Sequence, residues 1–255
     1  MHAMRPDETG RPPRWIVRRG SIRVGDVVVE PDLSNAGPPF LAAAMVTGGT
    51  IAVADWPETT TQPGDAYRDL LERMGGEVWR EDDAVCVRGT GAIRGIDADL
   101  SATGELTPTI AALAALADSP SRITGGVGHL RGHETDRLRA LASELTKIGA
   151  PTVELDDGLS IAPGALCGAV FETYEDHRMA TAGAVIGLRV PPDVQVVDIG
   201  TTQKTLPPDF VGDVAVHAPH RPAGGRTAVR RSVRDYDESD VRVRPNRRGS
   251  RPPHE

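Results

Sequence analysis

Two kinds of apolar segment alternate along the chain, and together they predict an α/β protein. Segments such as Leu41–Val46 and Ile110–Ala117 are apolar at nearly every position, which is typical of helices buried on all sides. The segment Leu138–Gly149 instead has apolar residues at helical spacing with charged residues between them, which predicts a helix with one buried face. Its last residue, a glycine, suits the position just after a helix C-terminus.

These segments recur in the same order, which indicates a repeated structural unit. The first unit contains LAAAMV, TIAVADW, GDAYRDLLERMGGEV and AVCVRG, and the second contains IAALAALA, SRITGGV, ETDRLRALASELTKIGAPTV and GLSIAPG. Each unit predicts a buried helix, a strand, an amphipathic helix and a short pair of strands. A third unit begins with MATAGAVIGLRV and VQVVDIG and breaks off after Lys204. Alternating helices and strands in about three such units predict one α/β domain.

The composition is that of an ordinary globular protein, with 39% hydrophobic and 25% charged residues. Only 4% of residues are aromatic, so the core must consist mainly of Ala, Val, Leu and Ile. The net charge of −7 disfavours a general nucleic-acid binder. Cys86 and Cys167 lie far apart without metal-ligand spacing, which favours a reducing cytoplasm. No apolar run approaches the ~20 residues of a membrane span, and the N-terminus lacks the apolar centre of a signal peptide.

The charge is unevenly distributed and divides the chain into three predicted regions. Residues 211–255 hold ten arginines and six acidic residues, so this segment is basic while the rest of the chain is acidic. It is also rich in Pro and Gly and has no apolar periodicity, which predicts a disordered tail. We therefore expect a disordered N-terminus over 1–14, a folded domain over 15–210 and a disordered Arg-rich tail over 211–255.

The sequence TYEDHRMATAGAVIG places two acids, a histidine and an arginine directly before a predicted core helix. Asp176 could cap the free N–H groups of that helix. Arg178 is poorly placed for the helix dipole, because cations favour the other end. It is well placed if an anion binds there, held by the N–H groups and the guanidinium together. A cap alone and an anion site both remain open.

Three further polar clusters lie near the starts of predicted elements. Glu134 and Arg137, three residues apart at the start of a helix, should share one face; the alternative is an ordinary surface pair. Glu105 precedes the buried helix of the second unit. There it either belongs to a site or is a solvated acid that only interacts favourably with the helix dipole. Lys204 follows the strand VQVVDIG beside hydroxyl groups, as in an anion site or a simple turn. Together the clusters suit a small, highly charged anion at one end of the domain.

Several motifs resemble one enzyme family. EPDLSNA, QPGD, GHETDRL, TYEDHRMA and TTQKTLPPDF, in this order, closely resemble the C-terminal half of the 5-enolpyruvylshikimate-3-phosphate synthases (3-phosphoshikimate 1-carboxyvinyltransferases). The resemblance covers Trp15–Phe210, and ETDRL with DHRMA is its most specific part. It implies repeated βαβαββ units forming one domain of an inside-out α/β barrel, with the active site in the cleft between two domains. It also implies a usually monomeric cytoplasmic enzyme that needs neither a metal nor an organic cofactor.

The resemblance implies a reaction and roles for individual residues. The family transfers the enolpyruvyl group of phosphoenolpyruvate to the 5-hydroxyl of shikimate 3-phosphate and releases phosphate, on the route to chorismate and the aromatic amino acids. Glu105, where most members have Asp, corresponds to the proton acceptor that also contacts the shikimate hydroxyls, and Glu134 to a second acid/base group. Arg137, Arg178 and Lys204 correspond to the cations that bind phosphoenolpyruvate. His129 and His133 correspond to contacts with shikimate 3-phosphate. Asp176 and His177 correspond to pocket-shaping residues, and Asp176 either orients Arg178 or caps the helix.

The chain also departs from the family pattern. The family's first domain, which supplies roughly half of the ligand contacts, is not represented, so we expect a fragment with no appreciable activity alone. Whether a separately encoded first half is its partner remains open. NAGPPF, ITGGVGHL and TLPPDF each carry one extra residue. The segment DYDESDVRVRPNRRGSRP resembles the basic N-terminal leader of a ribosome small-subunit-dependent GTPase, without its GTP-binding motifs. If that tail is functional, its arginines could contact RNA phosphates.

Two other functions remain open. Enolpyruvyl transfer to a UDP-sugar occurs on the same fold, although GHETDRL and EDHRMA favour the shikimate branch. A non-catalytic remnant of such an enzyme is the alternative from another class.

Overall fold

A computed structural model of the chain describes residues 19–20, 25–26, 28–125, 127–190, 194–206 and 242–243. The side chains of residues 127–129 and 242–243 lie outside the description. Contacts divide the chain into two compact units, Met1–Glu30 and Pro31–Glu255. Every helix and strand of the described residues belongs to the second unit.

The first repeat of the second unit forms a small mixed sheet with two helices. Its sheet has the strand order β10-β1-β3-β2, with β1 antiparallel to β3, β3 antiparallel to β2, and β10 parallel to β1. Strand β10 is the only part of the predicted disordered region, residues 211–255, that the structure describes. The rest of that region lies outside the described residues. The elements are α1 (Gly37–Thr47), β1 (Thr50–Val53), α2 (Tyr67–Arg73), β2 (Glu77–Glu81), β3 (Ala84–Arg88) and β10 (Arg242–Val243).

The second repeat has the same architecture, and the third is shorter. In the second, the strand order is β4-β5-β7-β6, with β4 parallel to β5 and the two later pairs antiparallel. In the third, β8 pairs with β9 in parallel. The elements are β4 (Asp97–Asp99), α3 (Thr107–Ala115), β5 (Ser121–Thr124), α4 (Arg137–Lys147), β6 (Thr152–Leu155), β7 (Gly158–Ile161), β8 (Val170–Phe171), α5 (His177–Gly187) and β9 (Gln195–Val196). The predicted repeat of helices and strands is thus confirmed.

The core lies where α1, α3 and α5 pack against one another. Every residue of α3 is buried, as the apolar segment Ile110–Ala117 predicted. In α4, by contrast, Leu138, Leu141 and Leu145 are fully buried while Arg139 is exposed. Burial on one face holds α4 against the core and leaves its other face in water.

The ends of α4 follow local rules that the sequence already contained. Asp136 accepts a hydrogen bond from the Arg139 N–H at 3.2 Å and so caps the N-terminus. Gly149, just beyond the helix, has φ of +94° and a Cβ there would lie 2.3 Å from the Ala165 carbonyl oxygen. Only glycine meets both conditions without strain. Among the described residues, no helix is long and apolar enough to cross a membrane.

Candidate active site

The N-terminal ends of the three core helices meet at one end of the domain. The guanidinium of Arg178, in the first turn of α5, reaches the segment before α1 and the segment before α3. It donates from Nη1 to the Ser34 carbonyl oxygen and to the Glu105 carbonyl oxygen, the latter at 3.3 Å. Polar residues from three repeats therefore share one site, as expected for repeats that stack around a common core.

A buried ion pair joins α4 to α5 beneath this site. Arg137 donates from Nε to Asp176 Oδ2 at 2.6 Å and from Nη2 to Oδ1 at 3.3 Å. The two side chains are 2% and 0% exposed. Burial opposes ionisation of Asp176, but the hydrogen bonds and charge of Arg137 and the Arg178 N–H outweigh it, so the pKa of Asp176 is lowered. Asp176 also caps α5 by accepting from the Arg178 N–H at 2.8 Å.

Glu105 lies between two arginines. Its Oε2 is 3.0 Å from Arg137 Nη1 and 2.8 Å from Arg178 Nε. The Arg178 Nε–H does not point at this oxygen and has no acceptor in the described part of the chain, so that contact is ionic rather than a hydrogen bond. Burial of Glu105 raises its pKa, while Arg178 and Arg137 lower it by more, and the pKa falls below its usual value.

The charge of Arg178 is confined to a largely buried position, with 11% of the side chain exposed. Burial lowers the pKa of Arg178, and the positive charge of Arg137 lowers it further, against the raising effect of Glu105. An arginine remains protonated under such conditions. An anion that binds near Arg178, in addition to Glu105, would therefore contact a charged donor that is already held in position.

A second cluster surrounds Glu134. Both of its carboxylate oxygens lie 3.3 Å from His177 Nδ1, and Oε2 is also 3.3 Å from Lys204 Nζ. Lys204 donates in addition to the Glu175 carbonyl oxygen at 2.7 Å. A carboxylate, an imidazole and an ammonium group thus form a chain of groups that can exchange protons.

The tautomer of His177 follows from its neighbours. Asn35 donates from Nδ2 to Asp32 Oδ2 at 2.5 Å, so its Oδ1 must be the atom 3.2 Å from His177 Nε2. An amide oxygen only accepts hydrogen bonds, which places a proton on Nε2. The nitrogen that faces the Glu134 carboxylate is therefore Nδ1.

One trio in the site has the spacing of metal ligands. Glu134, Asp176 and His177 each offer an atom within 4.8 Å of the others. Both Asp176 oxygens, however, accept from Arg137, and Lys204 lies beside Glu134. A cation would have to compete with these two resident positive charges, so the cluster suits an anion better than a metal ion.

Comparison with known proteins identifies the family of this chain. The family model described as EPSP synthase (3-phosphoshikimate 1-carboxyvinyltransferase) matches residues 7–213. The chain belongs to the EPSP synthase family. It is also 58% identical over 193 residues to the 3-phosphoshikimate 1-carboxyvinyltransferase of Kocuria rhizophila, across 76% of this chain and 43% of that protein. The chain therefore spans less than half of the length of that relative.

Solved EPSP synthases share the fold. Two structures of the enzyme from Acinetobacter baumannii match with TM-scores of 0.62 and 0.60 at 22% and 20% identity, over 73% and 72% of this chain and 45% of each of those chains. The enolpyruvyl transferase NikO from Streptomyces tendae matches with a TM-score of 0.58 at 22% identity, over 75% of this chain and 44% of its own. The predicted enolpyruvyl-transferase fold is thereby confirmed.

Most of the residues predicted for the EPSP synthase site lie together. His133 Nδ1 is 3.3 Å from Glu105 Oε1 and 3.2 Å from Arg137 Nη1. His129 falls in the 3-10 helix Val127–Gly132, but its side chain lies outside the described residues. The residues that the contacts above bring together are Glu105, His133, Glu134, Arg137, Asp176, His177, Arg178 and Lys204.

One geometric expectation was wrong. Glu134 and Arg137 do not share a helix face, because Asp136 caps α4 and the helix begins at Arg137. Glu134 lies in the loop before the helix and pairs with α5 and Lys204. Of the two alternatives for Asp176, capping is correct, and its charge partner is Arg137 rather than the Arg178 guanidinium.

The first repeat also contributes side chains to the site, which the sequence motifs did not predict. Ser34 and Asn35 contact Arg178 and His177, and Asp32 holds both of them by hydrogen bonds. Their motif, EPDLSNA, precedes α1 as Glu105 precedes α3. The equivalent position in the repeat was the signal that could have identified them.

Proposed function

We propose that this chain supplies one wall of an EPSP synthase active site and takes part in transferring the enolpyruvyl group of phosphoenolpyruvate to the 5-hydroxyl of shikimate 3-phosphate. One observation carries the proposal: Arg137, Arg178 and Lys204 lie within contact distance of two carboxylates, Glu105 and Glu134. Guanidinium and ammonium groups bind carboxylate and phosphate oxygens. The carboxylates beside them supply proton acceptors and donors.

In the proposed addition step, Glu105 takes the proton of the 5-hydroxyl group while the oxygen of that hydroxyl forms a bond to C2 of phosphoenolpyruvate. The methylene carbon takes a proton from the cluster of Glu134, His177 and Lys204. In the elimination step, the new methyl group returns a proton to that cluster while the C2–O bond to phosphate breaks. Phosphate leaves with the proton that Glu105 took from the hydroxyl, and the enol ether remains. Glu105 and the cluster thus return to their starting protonation states.

The arginines also link substrate binding to the basicity of Glu105. Arg178 and Arg137 lower the pKa of this carboxyl group. An anion bound to Arg178 would offset its positive charge and so raise the pKa of Glu105. The base would thus become stronger when phosphoenolpyruvate is in place, which favours proton transfer from the hydroxyl.

Differential stabilisation of a transition state needs both walls of a cleft, and the resemblance implies that the second wall is the family's first domain. We therefore propose that the chain has no appreciable activity alone. The test is phosphate release from phosphoenolpyruvate and shikimate 3-phosphate by this chain mixed with a chain covering the rest of the Kocuria relative. Each chain alone, and a mixture containing Glu105→Gln, serve as controls.

Turnover that requires the mixture, shikimate 3-phosphate and Glu105 is the expected result. Turnover with a UDP-sugar acceptor instead would favour the other enolpyruvyl transfer. A folded mixture that releases no phosphate with either acceptor would favour a non-catalytic remnant. Activity of this chain alone would contradict the requirement for two walls.

A further inference from the structure

A buried acid outside the site contacts the segment that carries the site residues. Glu144, in the last part of α4, has a side chain only 1% exposed. It accepts from the Tyr174 hydroxyl at 2.8 Å, the Glu172 N–H at 3.0 Å and Lys147 Nζ at 2.7 Å. A buried carboxylate is costly unless it is paired and hydrogen-bonded, and here three donors satisfy it.

The segment held by Glu144 has a constrained backbone. Tyr174 and Glu175 both have positive φ, +54° and +57°, which is the left-handed region that non-glycine residues rarely adopt. Two such residues in succession persist only where the surroundings hold them in place. The carbonyl of Glu175, at the end of this turn, accepts from Lys204 Nζ at 2.7 Å and from Thr201 Oγ1 at 2.9 Å.

Helix α4 thus contacts this turn at both ends. Arg137 and Glu144 are seven residues apart, about 10 Å along the axis, and both side chains are buried. Arg137 binds Asp176 after the turn, and Glu144 binds Glu172 and Tyr174 at its beginning. The first pair belongs to the site. Within the described part of the chain, the second contacts no residue of the site directly.

We propose that Glu144 is a positioning residue for Lys204. Glu144 accepts a hydrogen bond from Tyr174 and so fixes the position of the strained turn. That turn positions the Glu175 carbonyl oxygen, which accepts from the ammonium group of Lys204 and keeps it beside Glu134. The consequence for phosphoenolpyruvate binding rests on the proposed function, whereas the mechanical link from Glu144 to Lys204 does not.

The sequence makes this link measurable, because Lys147 and Lys204 are its only two lysines. The full chain labelled with [13C]lysine should give two side-chain Cε signals in an NMR spectrum. Lys147→Met removes one signal and so assigns both. It should leave the Lys204 signal in place, since Glu144 keeps its contacts with Tyr174 and Glu172.

Glu144→Gln and Tyr174→Phe are the test variants. Each should move the Lys204 signal in the same direction, with the larger change in Glu144→Gln. Glu154→Gln is the matched control, because it removes another ion-paired carboxylate, the partner of Arg131, outside this turn. It should leave the Lys204 signal unchanged.

A Lys204 signal at its wild-type position in both Glu144→Gln and Tyr174→Phe would overturn the proposal. If Glu144→Gln fails to fold, Tyr174→Phe decides the question, because it removes a single hydroxyl. In the active mixture, Glu144→Gln should raise the KM for phosphoenolpyruvate and leave that for shikimate 3-phosphate unchanged. A moved Lys204 signal in a mixture that never turns over would remove the proposed function and leave the positioning role intact.

Discussion

The helices α2 and α4 occupy the same place in the first and second repeats, yet the ion pairs at their starts differ in almost everything except length. Arg68 and Asp65 lie 2.6 Å apart with side chains 38% and 30% exposed. Arg137 and Asp176 also lie 2.6 Å apart, but they are 2% and 0% exposed. Water screens the first pair and not the second, so the electrostatic interaction energies of the two ion pairs differ greatly although their distances are equal.

The difference arises from one position in the repeat. The residue after Asp65 is Ala66, whereas the residue after the capping Asp136 is Arg137. The first repeat therefore keeps its arginine on the surface, and the second directs one into the core toward α5. Equivalent helices of a repeated fold can thus carry a candidate site residue in one repeat and only a surface ion pair in another, without any change in architecture.

The largest expected effect comes from breaking the buried pair. Arg137→Met leaves Asp176 as an uncompensated buried charge, and should lower the free energy of unfolding by about 3–5 kcal/mol. Arg68→Met, the matched change in α2, should lower it by no more than about 1 kcal/mol. Urea denaturation of the three proteins measures both values, and similar losses in the two variants would contradict the comparison.

The glycines that follow the two helices should also differ. Gly75→Ala forces a side chain into positive φ, which costs about 1–2 kcal/mol, and its Cβ would lie 3.3 Å from the Ala92 carbonyl oxygen. Gly149→Ala adds a Cβ only 2.3 Å from the Ala165 carbonyl oxygen, so the backbone must move and the loss should be larger. Thermal unfolding of the two variants would show whether Gly149→Ala has the lower Tm.

Ligand binding should separate the two regions in the same way. In the active mixture, Arg178→Ala should weaken phosphoenolpyruvate binding at least about tenfold, since it removes charge-assisted hydrogen bonds. Arg68→Ala should leave the affinity unchanged. Calorimetric titration measures both, and an unchanged affinity for Arg178→Ala would reject its role as an anion-binding cation.

The smallest effect concerns pH. The folded-state pKa of Asp176 is lowered, by Arg137 and the Arg178 N–H against the effect of burial. Its contribution to stability is therefore present above the usual carboxyl pKa and is lost as the pH falls through the lower folded-state value. Asp176→Asn should reduce the decrease in the free energy of unfolding between neutral and acidic pH. Asp65→Asn should reduce it less, although the pKa of Asp65 is lowered too. Equal flattening in urea titrations at several pH values would show that burial makes no difference.

Periodicity and motifs predicted the repeat, the buried core helices, the amphipathic α4 and most of the polar residues that the structure brings together at the candidate site. These features depend on short segments, where apolar spacing and capping residues decide the local structure. The expectation that Glu134 and Arg137 share a helix face failed because the spacing rule holds only inside a helix, and α4 begins at Arg137. The proton on His177 Nε2 was not predictable, because it depends on Asn35, which is 142 residues away in sequence.

The sequence by itself determined which segments are helices and strands, how they repeat and to which family the chain belongs, because these depend on local pattern and motif. Only the tertiary structure decided which charges are partners. Glu105 could have been a solvated acid and Arg137 half of a surface pair, until the packing of three helix ends brought them within 3.0 Å of each other. The strength of a charge pair depends on separation and exposure to water, and both are set by contacts between residues distant in the chain.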